Sequence, residues 1–69
     1  MEDKEYLKQM GKRIRKLRLS KGLILRDISV ATGYDKDAIG DIELGRCSSR
    51  ILTLKHIADV LNVDVKDFL

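Results

Sequence analysis

Residues 25–46, LRDISVATGYDKDAIGDIELGR, decide the fold because they hold two short helical patterns joined by one tight turn. In the first pattern, Leu25, Ile28 and Ala31 recur at a spacing of three, which predicts the buried stripe of a helix. Gly33 follows this stripe and favours the left-handed backbone that ends a helix. The first half of the stretch therefore predicts a short helix that stops at a glycine.

The second pattern begins at Asp35, a residue type whose carboxylate caps helix N-termini, and it stops at Gly45. Its buried stripe is predicted to consist of Ala38, Ile39 and Ile42. Two helices joined by a tight glycine-containing turn form a helix-turn-helix unit, which here spans about residues 24–44. Many α-helical domains contain such a pair, so the pattern alone also fits a purely structural role.

Further helical patterns flank this unit on both sides. The first helix carries an apolar stripe at Leu7, Met10, Ile14 and Leu17. It is predicted to end at Gly22, and another helix is predicted over residues 51–61 with Asn62 as its stop. Asp64 can cap a last helical turn. No run alternates as a strand would, so we predict an all-α fold, a compact five-helix bundle in one domain over residues 1–69.

The charge of the chain is unevenly distributed. Residues 1–22 contain eight basic and three acidic residues, whereas residues 34–46 contain four acidic and two basic ones. The formal net charge of the whole chain is +3. A basic segment beside an acidic one can attract a polyanion through one surface and discriminate through another. A solvated helix face explains the same charges equally well.

Several classes of protein are disfavoured by the composition. The single cysteine, Cys47, and the single histidine, His56, are too few for a Cys/His metal site, and no nucleophile framework accompanies them. No apolar run approaches the roughly 20 residues that a membrane helix needs. We therefore expect a cytoplasmic binding protein that is not an enzyme and needs no metal, cofactor, membrane or small-molecule ligand.

Three segments together resemble the Cro/C1-type (XRE) helix-turn-helix regulators. They are GKRIRKLRLSKGL at residues 11–23, LRDISVATGYDKDAIGDIELGR at residues 25–46 and TLKHIADVLNVDVKDFL at residues 53–69. The resemblance implies a lambda-repressor-like bundle of five helices that binds sequence-specifically to double-stranded DNA. It further implies a homodimer on a pseudo-palindromic operator, acting as a small transcriptional regulator of the phage-repressor or restriction-modification controller type.

The resemblance also implies roles for particular residues. It pairs Glu43 with Arg18 in a structural ion pair, so that Glu43 is not a repulsive charge at the DNA. The positions that match base-reading residues of the family are Lys36, Asp37, Gly40 and Asp41. A carboxylate there can accept from cytosine N4, and Lys36 can donate to guanine. Asp37 and Asp41 can equally well be a solvated face.

Phosphate contacts must supply most of the affinity, because carboxylates near phosphates repel. The residues that we expect to make these contacts are Arg13, Leu25, Tyr34, Arg46, Ser48, Ser49 and Arg50. The loop after the second helix of the unit is where the family usually meets the DNA backbone. A solvated basic loop is the alternative.

Two sets of apolar residues could contact another protein chain. In the family, the C-terminal region forms the two-fold interface, and the corresponding apolar residues here are Leu52, Val60, Val63, Val65, Phe68 and Leu69. All of them could instead belong to the protomer core. Residues 23–25, with Ile24 where the family has a Ser or Thr cap, either close onto the core or mark a protein contact. The alternative function is therefore a protein-interaction module such as an antitoxin.

Overall fold

The computed structural model describes residues 3–69 and contains no strand within them. Its elements are α1 (Asp3–Ser20), α2 (Leu25–Thr32), α3 (Lys36–Glu43), α4 (Ile51–Leu61) and a 3₁₀ turn (Val65–Phe68), which we call the C-terminal turn. The first two residues of the predicted domain lie outside the described residues. The all-α prediction is confirmed, and α2 and α3 occupy the predicted helix-turn-helix segment.

The prediction of five helices is wrong at the last element. The C-terminal turn closes through bonds between residues three apart, from Asp67 N to Asp64 O at 2.9 Å and from Leu69 N to Lys66 O at 3.1 Å. Four residues are too few to repay the nucleation of an α-helix, so the tighter 3₁₀ geometry serves here. The fold is thus four helices and one short turn.

The predicted helix stops have the expected backbone. Gly33 ends α2 with φ at +82°, and Asn62 ends α4 with φ at +59°, both in the left-handed region. Asp35 caps α3, since its Oδ1 accepts from the Asp37 N–H at 3.1 Å. These local signals were readable because each acts within a few residues of its own position.

Two other helix starts lack a side-chain cap. Ile24 precedes α2 and has no polar atom to offer, and Asp64 makes no side-chain cap bond. In both places the acid three residues later reaches back instead. Asp27 Oδ2 accepts from Ile24 N at 2.9 Å, and Asp67 Oδ2 accepts from Asp64 N at 3.1 Å. Asp64 thus occupies the predicted cap position, and the side-chain bond at this helix start is the one that Asp67 accepts from the Asp64 N–H.

One apolar core joins all the elements. Its buried side chains are Met10, Ile14, Ile28, Ile39, Ile42, Leu54, Ile57, Ala58, Leu61 and Phe68. Ala31 and Ala38 are exposed, so their predicted burial is wrong. Each stands at the edge of its helical stripe, where a short side chain does not reach the neighbouring helix. Leu23 and Leu25 pack against the core, whereas Ile24 is 60% exposed.

α1 and α3 approach each other backbone to backbone. Gly11 is buried, and a Cβ added there would collide with the carbonyl oxygens of Ile42 and Glu43. Gly45, just after α3, packs in the same way on the backbone of Lys8. Glycine permits such contact because it has no side chain to displace. The close approach fixes the end of α3 on α1.

No helix within residues 3–69 combines the length and the apolar character required to cross a bilayer.

Candidate nucleic-acid interface

A buried ion pair holds α3 on α1. Arg18 Nε donates to Glu43 Oε2 at 2.7 Å, and Arg18 Nη2 donates to Glu43 Oε1 at 3.0 Å. Arg18 Nη1 also donates to the Leu23 carbonyl at 2.8 Å, which ties in the turn before α2. Both side chains are nearly inaccessible to solvent. The structure thus joins the two residues that the family resemblance pairs, and Glu43 faces inward.

The part of α3 that does not pack on α1 is open to solvent, and we call it the open side of α3. Lys36 and Asp37 are exposed, and Asp41 is half-buried one turn further along. Gly40 lies beside Leu25, and an added Cβ would meet Leu25 Cδ1 at an ordinary 3.6 Å. The four predicted base-reading positions therefore share one helix that presents two carboxylates and one ammonium group.

Asp41 has a basic partner at the edge of this face. Arg46 Nη1 lies 3.4 Å from Asp41 Oδ1, and the two side chains are 69% and 47% exposed. Such an exposed pair contributes little to stability, about 0–1 kcal/mol. It does offset the negative potential where Asp41 would approach DNA.

The α3–α4 loop, residues 44–50, borders α3 along a groove. Tyr34, Ala38, Ser48, Ser49 and Arg50 line this groove together, so the turn, the helix and the loop meet at one surface. Arg46, Ser48 and Arg50 are exposed. The hydroxyl of Ser49 is buried and has no partner within residues 3–69. Exposed basic and hydroxyl groups therefore lie next to the open side of α3.

Tyr34 is anchored in the turn between α2 and α3. Its hydroxyl lies 2.8 Å from His56 Nδ1, and the two rings stack at 5.9 Å between centroids. Ser29 Oγ donates to the Tyr34 carbonyl at 2.6 Å. The phenol thus joins the helix-turn-helix to α4, and its side chain is only half-exposed. No local pattern predicts the Tyr34–His56 contact, because 22 positions separate the two residues.

Arg13 lies apart from the other expected phosphate contacts. Its Nη1 donates to the Phe68 carbonyl at 3.5 Å and to the Leu69 carbonyl at 3.4 Å. Successive helical residues turn by about 100°, which directs Arg13 to the side of α1 that holds the C-terminal turn. Leu25, by contrast, begins α2 next to Gly40. The structure therefore separates Arg13 from the α3–α4 loop.

The residues expected at a dimer interface divide into three groups. Phe68 is fully buried in the protomer. The half-buried valines packed against the core are Val60, Val63 and Val65. Leu52 and Leu69 are 58% and 54% exposed. Phe68 therefore stabilises the protomer itself, and only the two leucines present large apolar side chains to solvent.

The sequence-based predictions do not include Arg15 or Ala38 among the site residues. Arg15 lines a cleft together with Leu25, Gly40 and Leu44, which places it at the edge of the α3 surface. Its position three residues before Arg18 was a usable signal, because residues three apart share a helix face. Ala38 was assigned to the core, and it lies instead in the groove beside the α3–α4 loop.

This arrangement of α2, turn and α3 is the helix-turn-helix unit, and the model of the family described as helix-turn-helix domain matches residues 9–68. The chain belongs to this family, in its Cro/C1-type branch. No curated protein matches the sequence.

Solved structures of three regulators have the same fold. The restriction-modification controller protein C.AhdI from Aeromonas hydrophila is 25% identical, with a TM-score of 0.87 over 91% of this chain and 96% of that one. An HTH_3 family transcriptional regulator from Vibrio cholerae is 34% identical, with a TM-score of 0.88 over 97% of this chain and 38% of that one. The clp gene regulator ClgR from C. glutamicum shares the fold at 24% identity, with a TM-score of 0.85 over 91% of this chain and 82% of that one.

Proposed function

We propose that this protein binds double-stranded DNA sequence-specifically as a small homodimeric transcriptional regulator in the cytoplasm, without catalysing a reaction. The observation that carries the proposal is the open side of α3, which lies beside a groove and a loop with exposed Arg46 and Arg50. A helix of this kind fits the major groove of B-DNA, about 12 Å wide. The similarity to regulators, a restriction-modification controller among them, supports the proposal.

The acidic helix is compatible with DNA because its charges have separate duties. Glu43 forms a buried ion pair with Arg18, and Asp35 caps the N-terminus of α3. Lys36 then donates to guanine O6 or N7, and Asp41 accepts from cytosine N4. Arg46, next to Asp41, reduces the repulsion between that carboxylate and the phosphates. In this scheme Asp37 and Asp41 weaken binding to unrelated sequences.

A two-fold dimer completes the proposed mechanism. The exposed Leu52 and Leu69 are the residues that we assign to the contact between protomers. A two-fold axis would place the two α3 helices about 34 Å apart, which corresponds to successive major grooves on one side of the duplex. Burying the leucines would make DNA binding depend on protein concentration.

A protein-interaction module is the second candidate, since Ile24 is 60% and Val30 77% exposed near or on α2. An apolar protein contact there would depend little on salt, whereas binding through several phosphates weakens steeply as salt rises. A salt titration of the bound complex separates the two functions.

The test of the proposed function is selection of bound sequences from a random duplex pool at physiological salt. We expect enrichment of an inverted repeat whose half-sites lie about 10 base pairs apart. A well-folded protein that enriches no sequence would contradict the proposal and favour the protein-interaction module.

The roles of individual residues are tested on the selected sequence. We expect Lys36→Ala and Asp41→Ala to change which bases are preferred, at about 1–3 kcal/mol per lost base contact. We expect Arg46→Ala and Arg50→Ala to weaken binding to every sequence and to lower its salt dependence. Equal losses on the selected and on random DNA for all four variants would disprove this division of roles.

A further inference from the structure

Five basic side chains cover one side of α1 and form a surface that the proposed mechanism does not use. We call this surface the α1 basic face; its members are Lys4, Lys8, Lys12, Arg15 and Lys16. At about 100° per residue they fall within an arc of roughly 120°. All five are exposed, and none forms an ion pair with an acid among residues 3–69.

This arrangement works against the stability of the helix. Lys4, Lys8, Lys12 and Lys16 follow one another at intervals of four, and like charges at this spacing repel by about 0.2–0.5 kcal/mol per pair. The nearest acid on the same side, Glu5, accepts instead from Gln9 Nε2 at 3.0 Å. Uncompensated repulsion on an exposed face is expected where the charges serve a partner of opposite sign.

The α1 basic face is continuous with the candidate DNA interface. Arg15 shares a cleft with Leu25 and Gly40, and the backbone of Lys8 packs on Gly45 at the α3–α4 loop. Arg13, on the other side of α1, contacts the C-terminal turn. The α1 basic face is therefore directed away from the C-terminal turn.

We propose that the α1 basic face binds phosphates of the duplex outside the half-site, on the side away from the dimer axis. The inference rests on the proposed function, because it needs α3 in the major groove. Lys8 and Lys12 lie about 6 Å apart along the helix, a spacing comparable to that of successive phosphates on a strand. These contacts extend the footprint beyond the bases that are read and add affinity that does not depend on sequence.

The test compares a double variant of this face with a matched control on two duplexes. Lys8→Gln with Lys12→Gln removes two charges from the α1 basic face. The control, Lys55→Gln with Lys66→Gln, removes two charges from α4 and the C-terminal turn, one of them from the exposed Lys55–Asp59 ion pair. One duplex carries the selected inverted repeat alone, and the other carries about 10 further base pairs at each end.

On the long duplex, the plot of log affinity against log salt should be less steep for the Lys8/Lys12 variant than for the parent protein. The magnitude of its slope should fall by about 1.8, close to 0.9 for each lost phosphate contact. On the short duplex its slope should equal that of the parent protein, and the control should equal the parent on both. The thermal midpoint of the variant should be equal to or above the parent's, because repulsion within α1 is relieved.

Three results would overturn the inference. Equal reductions in slope for variant and control would show an effect of net charge alone. An unchanged slope on the long duplex, with the parent still bound to its repeat, would refute the inference and leave the proposed function intact. Failure of the parent to bind either duplex would refute the proposed function itself, together with this inference.

Discussion

At the scale of single residues, two acidic side chains of α3 have different environments. Glu43 is buried against Arg18, with two hydrogen bonds between them, whereas Asp41 is half-exposed beside Arg46. The two acids are two positions apart on a helix and therefore point in different directions. Burial decides their roles: the inner acid determines stability, and the outer one is free to contact a partner.

Replacing Glu43 by Gln should therefore cost far more stability than replacing Asp41. Glu43→Gln leaves the buried Arg18 charge unpaired, and we expect the free energy of unfolding to fall by about 3–5 kcal/mol. Asp41→Asn should change it by less than about 1 kcal/mol. Urea denaturation of the two variants and the parent measures these changes. Similar losses of unfolding free energy in both variants would contradict the role that we assign to the burial of Glu43.

Gly40 is the position where stability and binding should move in opposite directions. A Cβ fits there at 3.6 Å from Leu25, and alanine is favoured over glycine within a helix by about 1 kcal/mol. We expect Gly40→Ala to raise the free energy of unfolding by up to that amount. We expect its affinity for the selected repeat to fall, because a methyl group then occupies the side of α3 that approaches the bases. Unchanged affinity would remove Gly40 from the proposed reading surface.

At the scale of elements, the contact between α1 and α3 determines where α3 stands. Gly11 and Gly45 both sit where another backbone leaves no space for a Cβ, one in the middle of α1 and the other just after α3. Two close approaches of this kind leave α3 little freedom to slide along α1. The Arg18–Glu43 pair then locks the register that the backbones allow.

Gly11→Ala should consequently destabilise the fold more than Gly22→Ala. The added methyl at Gly11 would press on two carbonyl oxygens, and overpacking of this kind costs about 1–3 kcal/mol or more. Gly22 has φ at +72° but open space around it, so alanine there meets only backbone strain of about 1–2 kcal/mol. Thermal and urea unfolding of both variants test this prediction. A smaller loss of unfolding free energy for Gly11→Ala than for Gly22→Ala would contradict it.

At the scale of the whole molecule, the C-terminal turn packs into the core of the protomer and is followed by an exposed apolar residue, Leu69. Phe68 is fully buried between α1 and α4, and Leu69 next to it is 54% exposed. Arg13 holds the carbonyls of both residues. Phe68 thus anchors the fold, and its exposed neighbour Leu69 is the residue that we propose contacts a second protomer.

These two neighbours should respond differently to substitution. Phe68→Ala removes the largest buried side chain and should cost about 3–5 kcal/mol of unfolding free energy. Leu69→Asp should leave the protomer folded and shift the monomer–dimer equilibrium towards monomer. Circular dichroism and sedimentation at several concentrations separate the effects. A Leu69→Asp protein that remains as dimeric as the parent would exclude Leu69 from the interface.

The sequence by itself determined the all-α class, the helix-turn-helix segment and the helix stops at Gly33 and Asn62, because these depend on side-chain periodicity and on backbone preferences of single residues. It also identified the acids and bases available for DNA. Only the tertiary structure decided which of them meet.

The Tyr34–His56 contact and the distance of Arg13 from the α3–α4 loop arise from the packing of separate helices. Such contacts join residues far apart in the chain, and no local preference encodes them. The packing of the C-terminal turn on α1 and α4, which buries Phe68, has the same origin.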